Sequence, residues 1–362
     1  MIKYPVLDTF LPDTVGSRDP IILHIDADAI IYRLFRKKDL SLIYSVSKDT
    51  AVKDVVVGMV NVIGHYRRYI ITKLRRNCII YLYYNTMTPP YQEAMYPGYR
   101  ASWYRLFNQL HPEYGVVTEI MNKAIPFVAS ILQYTTGNYM IDNQGVDNPT
   151  AINYFIRKIE RTARSDRRWS DALHIIFSRS VVPLQLLNDN TIQLYPKRDK
   201  SYIITANTAY SKGIMEGKKS QASDLLRPPS IPYVIMLGGL KDLDMKHTPY
   251  ARGLTRAAVL ISRAIRHDRE QYLPDLVLDR LTPLVNDPKR FVQDREQMKY
   301  RYNAVALSKS MYAITKSIMI RMESSIVDLY DQNALEEINN LLSQIDADEN
   351  LIEITSLNLS RT

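Results

Sequence analysis

Cysteine is nearly absent from this sequence. The chain has 362 residues and a single cysteine, Cys78. One thiol cannot close a disulfide within the chain, and it cannot build a zinc site of the kind that needs two or more cysteines. A disulfide-stapled framework and a cysteine-based zinc domain are therefore excluded. We expect Cys78 to pack as a small buried apolar residue in a reducing compartment.

Long apolar runs are missing as well. No segment approaches the ~18 uninterrupted apolar residues that a membrane span needs, and the N-terminus lacks the apolar centre of a secretory signal peptide. Hydrophobic residues still make up 46% of the chain, so it can bury a sizeable core. We therefore expect a soluble chain without a membrane partner, located in the cytoplasm or in a particle assembled there.

The charge is unbalanced towards the positive side. Lysine and arginine number 47 against 38 acidic residues, which leaves a formal net charge of +9. Such an excess favours a polyanionic partner such as nucleic acid. A solvated basic surface with no specific partner has the same composition, so both interpretations stay open.

Short apolar segments alternate with segments of helical periodicity in the first two thirds of the chain. Strands are predicted at residues 21–25, 78–84, 137–142 and 173–177, with helices at 29–38, 50–76, 119–134 and 150–163. This alternation predicts an α/β fold with a mostly parallel central sheet flanked by helices. Residues 191–195 and 202–205 are strand-like and predict a hairpin, and from residue 224 onward the periodicity is helical.

The same pattern predicts the domain organisation. We expect an irregular N-terminal arm at 1–19, an α/β domain at 20–220, a helical region at 221–270, and a C-terminal helical extension with its tail at 271–362. The helix predicted at 301–331 carries an amphipathic stripe. Such a stripe serves core packing in most proteins, and contact with a protein partner in others.

An acidic pair follows the first predicted strand. The segment IDADAIIYR places Asp26 directly after the apolar run and Asp28 two residues later. A carboxylate at the carboxyl end of a buried parallel strand lies where α/β folds place metal or phosphate chemistry. Asp28 alone is also explained as a helix N-cap. A phosphotransferase Asp-x-Asp motif is disfavoured because no matching Thr or Lys motif accompanies it.

Three further landmarks follow this pair in order: YYNTMTPPYQEAMYPGYRASWYR at 83–105, GVDNPTAINYFI at 145–156 with FSRSVVPLQLL at 177–187, and LGGLKDLDMKHTPYARGLTRAA at 237–258. Together the four landmarks resemble the 5′-nuclease superfamily, which contains flap endonucleases and polymerase-associated 5′→3′ exonucleases with a PIN-like fold. The resemblance covers about residues 20–265. It implies a site of clustered acids that hold Mg²⁺ or Mn²⁺.

The resemblance assigns metal-binding and catalytic positions to a small set of acids. Asp26 falls on the metal-binding aspartate of the first strand, and Asp147 stands for the glutamate of a Gly-x-Glu-Ala-Asp-Asp element. The last acidic element is shifted, so Asp242 or Asp244 substitutes for its aspartates. Neutral residues occupy four other positions where the family has acids: Asn85, Thr150, Ser180 and Val182.

Two-metal hydrolysis needs enough carboxylates to hold two ions ~4 Å apart. With four positions neutral, the remaining acids are expected to bind Mg²⁺ or Mn²⁺ weakly and to leave the site catalytically degenerate. Clustered carboxylates are costly to desolvate without metal, so their replacement is expected to stabilise the fold.

Basic and aromatic residues near these landmarks are candidates for binding DNA or RNA, in branched or single-stranded form. Arginine beside an aromatic ring suits both phosphate contact and base stacking. The candidates are Arg33, Arg67, Arg68, Tyr99, Arg100, Trp103, Arg105 and Arg256.

Three hypotheses follow. The first is a nucleic-acid-binding, catalytically degenerate 5′-nuclease-like scaffold or accessory factor in DNA metabolism, with a protein partner on its C-terminal helices. Its divergence resembles that of bacteriophage proteins, which implies the host cytoplasm or the virion. The second is an active Mg²⁺- or Mn²⁺-dependent 5′→3′ exonuclease or flap endonuclease that uses Asp26, Asp147 and Asp242 or Asp244. The third is a structural or partner-binding protein of a viral particle or polymerase complex.

Overall fold

The structure is a computed structural model. It describes residues 15–30, 48–85, 89–100, 115–133, 138–143, 145–166, 169–197, 200–214, 226–265, 274–307, 340 and 343–344. Its centre is a six-stranded sheet in the order β3-β2-β1-β4-β5-β6. The strands are β1 (Ile21–Asp26), β2 (Cys78–Tyr84), β3 (Asn138–Asp142), β4 (Leu173–Phe177), β5 (Thr191–Lys197) and β6 (Lys200–Ile204).

The sheet is parallel from β3 to β5, and β6 pairs antiparallel with β5. The predicted α/β class and the predicted hairpin at the edge of the sheet are therefore confirmed. The chain builds β2 and β3 on one side of β1 and then β4 and β5 on the other. The order thus reverses between β1 and β4, and the crevice at the carboxyl ends of those two strands is where open α/β sheets place their ligands.

Helices cover both faces of the sheet. They are α1 (Lys48–Arg68, continued by a π-helical turn Tyr69–Lys73), α2 (Pro90–Met95), α3 (Gly115–Gln133), α4 (Asn148–Thr162), α5 (Ile231–Gly238), α6 (Leu254–Ala264), α7 (Pro274–Leu281), α8 (Pro288–Gln293) and α9 (Arg295–Val305). Among the described residues, no helix is long and apolar enough to cross a membrane.

The alternation of side chains along β1 decides which layer each residue joins. Ile21, Leu23 and Ile25 pack with apolar residues of α1 and α3 in one core. Ile22 packs with Ile159 of α4 on the opposite face. Asp26 shares the parity of Ile22, so its side chain lies on the side of the sheet that α4 covers.

The helices after residue 226 join the α/β layers in one apolar core, which contains residues of α4, α5, α6, α7 and α9. The domain boundaries at residues 220 and 270 therefore remain predictions from the sequence. Most of the proposed amphipathic helix at 301–331 and most of the arm at 1–19 lie outside the described residues.

Gln185 ties the C-terminal helices to the sheet domain. It lies in the 3₁₀ turn Val182–Leu186 that follows β4. Its Nε2 donates to the carbonyls of Val182 (2.9 Å) and Val305 (2.8 Å), and its Oε1 accepts from the backbone N–H of Leu307 (2.8 Å). One amide side chain therefore satisfies three backbone groups.

We expect Gln185→Ala to lower the free energy of unfolding by about 1.5 kcal/mol, because a partly buried carbonyl and N–H lose their partners. Urea unfolding followed by circular dichroism measures this change. Gln293→Ala, at an exposed glutamine of α8, is the control and is expected to stay within about 0.5 kcal/mol of wild type. Equal stability of the two variants would contradict the assignment.

Candidate functional site

The site begins at the carboxyl end of β1. Asp26 is the last residue of that strand and is only 4% exposed. Residues 27–30 are helical, so the chain turns at once from strand to helix, and the backbone N–H of Asp28 donates to Asp26 Oδ1 at 3.1 Å. Ser178 lies directly after β4, and Asn148 is the first residue of α4. Through these two residues, the end of β4 and the start of α4 both contact Asp26.

Neutral donors occupy both oxygens of the Asp26 carboxylate. Asn148 Nδ2 donates to Oδ1 at 2.7 Å, and Ser178 Oγ donates to Oδ2 at 2.7 Å. Burial, followed by repulsion from Asp28, raises the pKa of Asp26 to about 6, while the bonds from Ser178 and Asn148 and the charge of Arg100 act in the opposite direction. The hydrogen bonds stabilise the ionised carboxylate, but the effect of burial on the pKa is larger.

Asp147 is the N-cap of α4. Its Oδ1 accepts from the backbone N–H of Thr150 (3.0 Å) and from Gln92 Nε2 (3.2 Å), and its Oδ2 accepts from the Tyr99 hydroxyl (2.6 Å). Burial raises its pKa above the ordinary value, and the bonds from Thr150 and Tyr99 and the charge of Arg100 oppose that rise. The bond from Thr150 is that of a helix cap, and Gln92 and Tyr99 bind the remaining carboxylate lone pairs from other segments.

Arg100 is the cation of the site. Its Nη2 lies 2.6 Å from Asp28 Oδ2, and the two side chains are 12% and 14% exposed. Its backbone is in the left-handed region with φ 54°, and its N–H donates to the carbonyl of Leu243 at 2.9 Å. A non-glycine residue held in this region is uncommon and indicates a local constraint.

Two of the positions where the resemblance expects acids are joined to the loops around α4. Asn85, which directly follows β2, donates from Nδ2 to the carbonyl of Val146 at 2.9 Å. Thr150 accepts a hydrogen bond from Gln92 Nε2 at 3.0 Å through its hydroxyl. Both side chains are buried, so each replaces a charge by a neutral bond within the fold.

The other two positions, Ser180 and Val182, follow β4. Ser180 Oγ accepts from the backbone N–H of Val182 at 3.2 Å and so supports the turn that carries Gln185. The Val182 side chain is 1% exposed and belongs to the large apolar core. An aliphatic group in that place offers no ligand atom to a metal ion.

Asp242 and Asp244 lie in the loop after α5. Asp242 is exposed in the 3₁₀ turn Lys241–Leu243, and Asp244 ends that turn with φ 56°. The turn reaches the site through the carbonyl of Leu243, which holds the backbone of Arg100. In the part of the chain that the structure describes, no group of three or more His, Cys, Asp or Glu side chains is placed to hold a metal ion. That Asp26, Asp147, Asp242 and Asp244 are residual ligands remains a prediction.

Two of the predicted nucleic-acid contacts need correction. Tyr99 is fully buried, because its hydroxyl is bound to Asp147. Arg67 is 3% exposed, and its Nη1 donates to the carbonyl of Cys78 at 3.2 Å, at the start of β2. Cys78 pairs with Ile21 at the amino end of β1. Because β1 has six residues that each advance ~3.3 Å, this end of the sheet is roughly 16 Å from Asp26. Both side chains serve the fold.

The remaining candidates have different positions. Arg68 is half-buried beside Arg67 at the far edge of the sheet, and Arg256 is exposed on the first turn of α6. Arg100 points inward to Asp28. Three candidates lie outside the described residues: Arg33, Trp103 and Arg105.

Sequence reasoning missed the residues that actually contact the acids. Asn148 and Ser178 lie inside the landmark segments at 145–156 and 177–187, but no local pattern there indicates that they contact Asp26. Gln92 has no sequence signal, because it reaches Asp147 across 55 positions. Two histidines also escape local sequence patterns: His24 and His174 are buried on adjacent strands with their ring nitrogens 3.0 Å apart.

No protein-family model and no curated protein matches the chain. Solved structures do match. The zinc-bound 5′-exonuclease of T5 aligns over 90% of this chain and 100% of its own, with a TM-score of 0.55 and 10% identity. A bacteriophage T5 flap endonuclease, as a pseudo-enzyme–product complex with DNA and metal ions, aligns over 88% of this chain and 100% of its own, with a TM-score of 0.54 and 12% identity. The fold predicted from the resemblance is thereby confirmed.

Proposed function

We propose that this chain, which has the fold of the 5′-nucleases, binds nucleic acid without cleaving it efficiently and acts as a scaffold or accessory factor in DNA metabolism. One observation carries the proposal. Both buried acids that the resemblance assigns to metal binding, Asp26 and Asp147, have both carboxylate oxygens bonded to neutral donors of the protein.

The chemistry of two-metal hydrolysis makes this arrangement unfavourable for cleavage. A hard divalent cation needs oxygen lone pairs directed at it, and Mg²⁺ requires a nearly octahedral set. At Asp26, Oδ1 already accepts from Asn148 and from the backbone N–H of Asp28, and Oδ2 accepts from Ser178. At Asp147 an ion would compete with the cap of α4, so few lone pairs of either acid remain for a metal. The donor set therefore does not fit a pair of ions.

Nucleic-acid binding rests on the basic loops beside the site. Gly238, at the end of α5, packs so closely on Gly253 that an added Cβ would lie 2.8 Å from the Gly253 carbonyl carbon. The start of α6 is therefore close to the turn that holds Arg100. Exposed basic residues on these segments are Lys241, Lys246, Arg252, Arg256 and Arg263. Together with the net charge of +9, they support a phosphate-contacting surface.

Cleavage and binding assays test the proposal separately. With Mn²⁺ and flap or single-stranded DNA, we expect no cleavage by wild type above that of Asp26→Ala. Wild-type cleavage that Asp26→Ala abolishes would establish the active-enzyme hypothesis instead. The same DNA is expected to bind at low salt, with an affinity that falls as salt rises.

We expect the double variant Arg252→Ala/Arg256→Ala to bind DNA about tenfold more weakly and to reduce the salt slope by about 2, because two phosphate contacts are lost. Fluorescence anisotropy at several salt concentrations measures both effects. The matched control, Lys73→Ala/Arg164→Ala, removes the same charge from exposed positions that precede β2 and β4, at the amino ends of the strands. Absence of binding by wild type at low salt would favour the structural-protein hypothesis.

A further inference from the structure

We infer that the Arg100 side chain neutralises the charge of Asp26, Asp28 and Asp147 in place of metal ions. These acids can therefore pack together in the folded protein without bound metal. The inference rests on the proposed function, because it explains how a site with the fold of a nuclease dispenses with its ions. It concerns Arg100 and Asp28, neither of which the resemblance assigns to metal binding.

Arg100 is held in place through both its backbone and its side chain. Its backbone N–H is bonded to Leu243 in the loop after α5, and its side chain is paired with Asp28 beyond β1. These partners come from two different layers of the molecule. The left-handed backbone of Arg100 is retained because both anchors fix it, as is typical of residues whose position matters more than their local strain.

The position of the charge suits three carboxylates. Asp28 is in direct contact with the guanidinium, and the charge of Arg100 also favours the ionised forms of Asp26 and Asp147. Three buried or partly buried acids without a cation would repel one another. An arginine keeps its charge at every relevant pH and offers five N–H donors in a plane, so it can serve several carboxylates at once.

A guanidinium and a divalent ion make different demands on the same acids. The ion needs several oxygen lone pairs directed at it, and hydrogen bonds already occupy most of those on Asp26 and Asp147. An ion could therefore bind here only together with the Asp28 carboxylate, which Arg100 occupies in wild type. The guanidinium needs only one accessible carboxylate, which Asp28 provides at 2.6 Å. Because Arg100 is engaged there and is 12% exposed, it is not available to a phosphate while the pair is closed.

Thermal unfolding of the full chain with and without millimolar Mn²⁺ tests the inference. We expect the Tm of wild type not to respond to Mn²⁺. Arg100→Met is expected to lower the Tm by about 5 °C, because Asp28 loses its partner, and Mn²⁺ is expected to restore most of that loss. Arg100→Lys keeps the charge and is expected to stay close to wild type without a response to Mn²⁺.

The double variant Arg100→Met/Asp28→Asn removes both charges and serves as the control. It is expected to recover stability and to lose the response to Mn²⁺. Equal Mn²⁺ stabilisation of wild type and Arg100→Met, or no response in Arg100→Met, would overturn the inference. If Arg100→Met alone does not fold, recovery of folding by Mn²⁺ supports the inference, and failure of both Mn²⁺ and Asp28→Asn to restore it overturns it.

These outcomes are independent of the test of function. Wild type that binds DNA and does not cleave it, beside an Arg100→Met variant that ignores Mn²⁺, would retain the proposed function and reject the role of Arg100. Wild type that binds no DNA, beside an Arg100→Met variant stabilised by Mn²⁺, would do the reverse.

Discussion

Asp147→Ala is expected to lower the free energy of unfolding by about 4 kcal/mol, the largest effect of any substitution at the site. The carboxylate accepts hydrogen bonds from the Tyr99 hydroxyl, from Gln92 and from the backbone of Thr150, and it is 2% exposed. Alanine leaves the Tyr99 hydroxyl and the backbone N–H of Thr150 buried without an acceptor, while Gln92 Nε2 keeps its bond to the Thr150 hydroxyl. The lost bond to Thr150 is the N-cap of α4, which by itself is worth about 1 kcal/mol.

The opposite sign is expected if Asp147 serves mainly as a metal ligand. Removing one of several clustered acids relieves repulsion and commonly stabilises a metal-free enzyme. The unfolding of Asp147→Ala in urea, with a chelator present, therefore distinguishes a structural cap from a catalytic acid. A variant as stable as wild type would contradict the cap.

Asp242→Ala is the matched control for this prediction. The resemblance assigns Asp242 to the same metal site, but its side chain is exposed in the turn after α5. We expect its stability to stay within about 0.5 kcal/mol of wild type. Asp147→Asn is expected to be intermediate, because the amide oxygen still caps Thr150 while its NH₂ meets the Tyr99 hydroxyl.

Local sequence patterns were sufficient to predict the sheet and its acidic corner. The apolar run before Asp26 and the apolar segment of β4 indicate buried parallel strands, and the alternation with helices indicates the layers. The start of α4 was also readable, because Asp147 followed by Asn148 and Pro149 is the usual order of a cap and first turn. The resemblance implies that Asp147 binds metal, whereas its place before Asn148 and Pro149 implies a helix cap.

Contacts between distant segments were beyond local patterns. Asp26 meets Asn148 across 122 positions and Ser178 across 152, and Arg100 meets Asp28 across 72. These pairs depend on the strand order and on the backbone of Arg100, which the sequence does not encode in any short window. Arg67 is different, because it follows Val56, Val60 and Ile63 at helical spacing, and that spacing predicts the buried face of α1.

Asp26→Asn is expected to stabilise the protein by about 2 kcal/mol at pH 8 and by about 0.5 kcal/mol at pH 5. The reason is the pKa of about 6 that burial and the neighbouring Asp28 impose on Asp26. Asparagine has nearly the same shape, and its oxygen still accepts from Asn148. Its NH₂ can face Ser178, whose hydroxyl is able to accept as well as donate.

The sign follows from proton binding in the two states. The folded protein binds a proton at Asp26 below about pH 6, whereas the unfolded chain binds it only below about pH 4. Between these values the folded state carries more protons, so this residue makes wild type less stable as pH rises through that window. Above this pH window the buried charge of wild type costs about 3 kcal/mol. The weaker hydrogen bonds of the neutral amide offset part of what the variant gains.

The measurement is the difference in free energy of unfolding between Asp26→Asn and wild type at several pH values. Taking the difference removes the contribution of the buried His174, whose pKa burial lowers to about 4 and whose effect on stability therefore rises with pH, opposite to that of Asp26. Asp189→Asn, at an exposed acid, is expected to show no such trend. A difference that is constant from pH 5 to pH 8 would contradict a raised pKa at Asp26, whereas a difference that grows with pH would mean that the last acid of β1 is retained at a cost to stability.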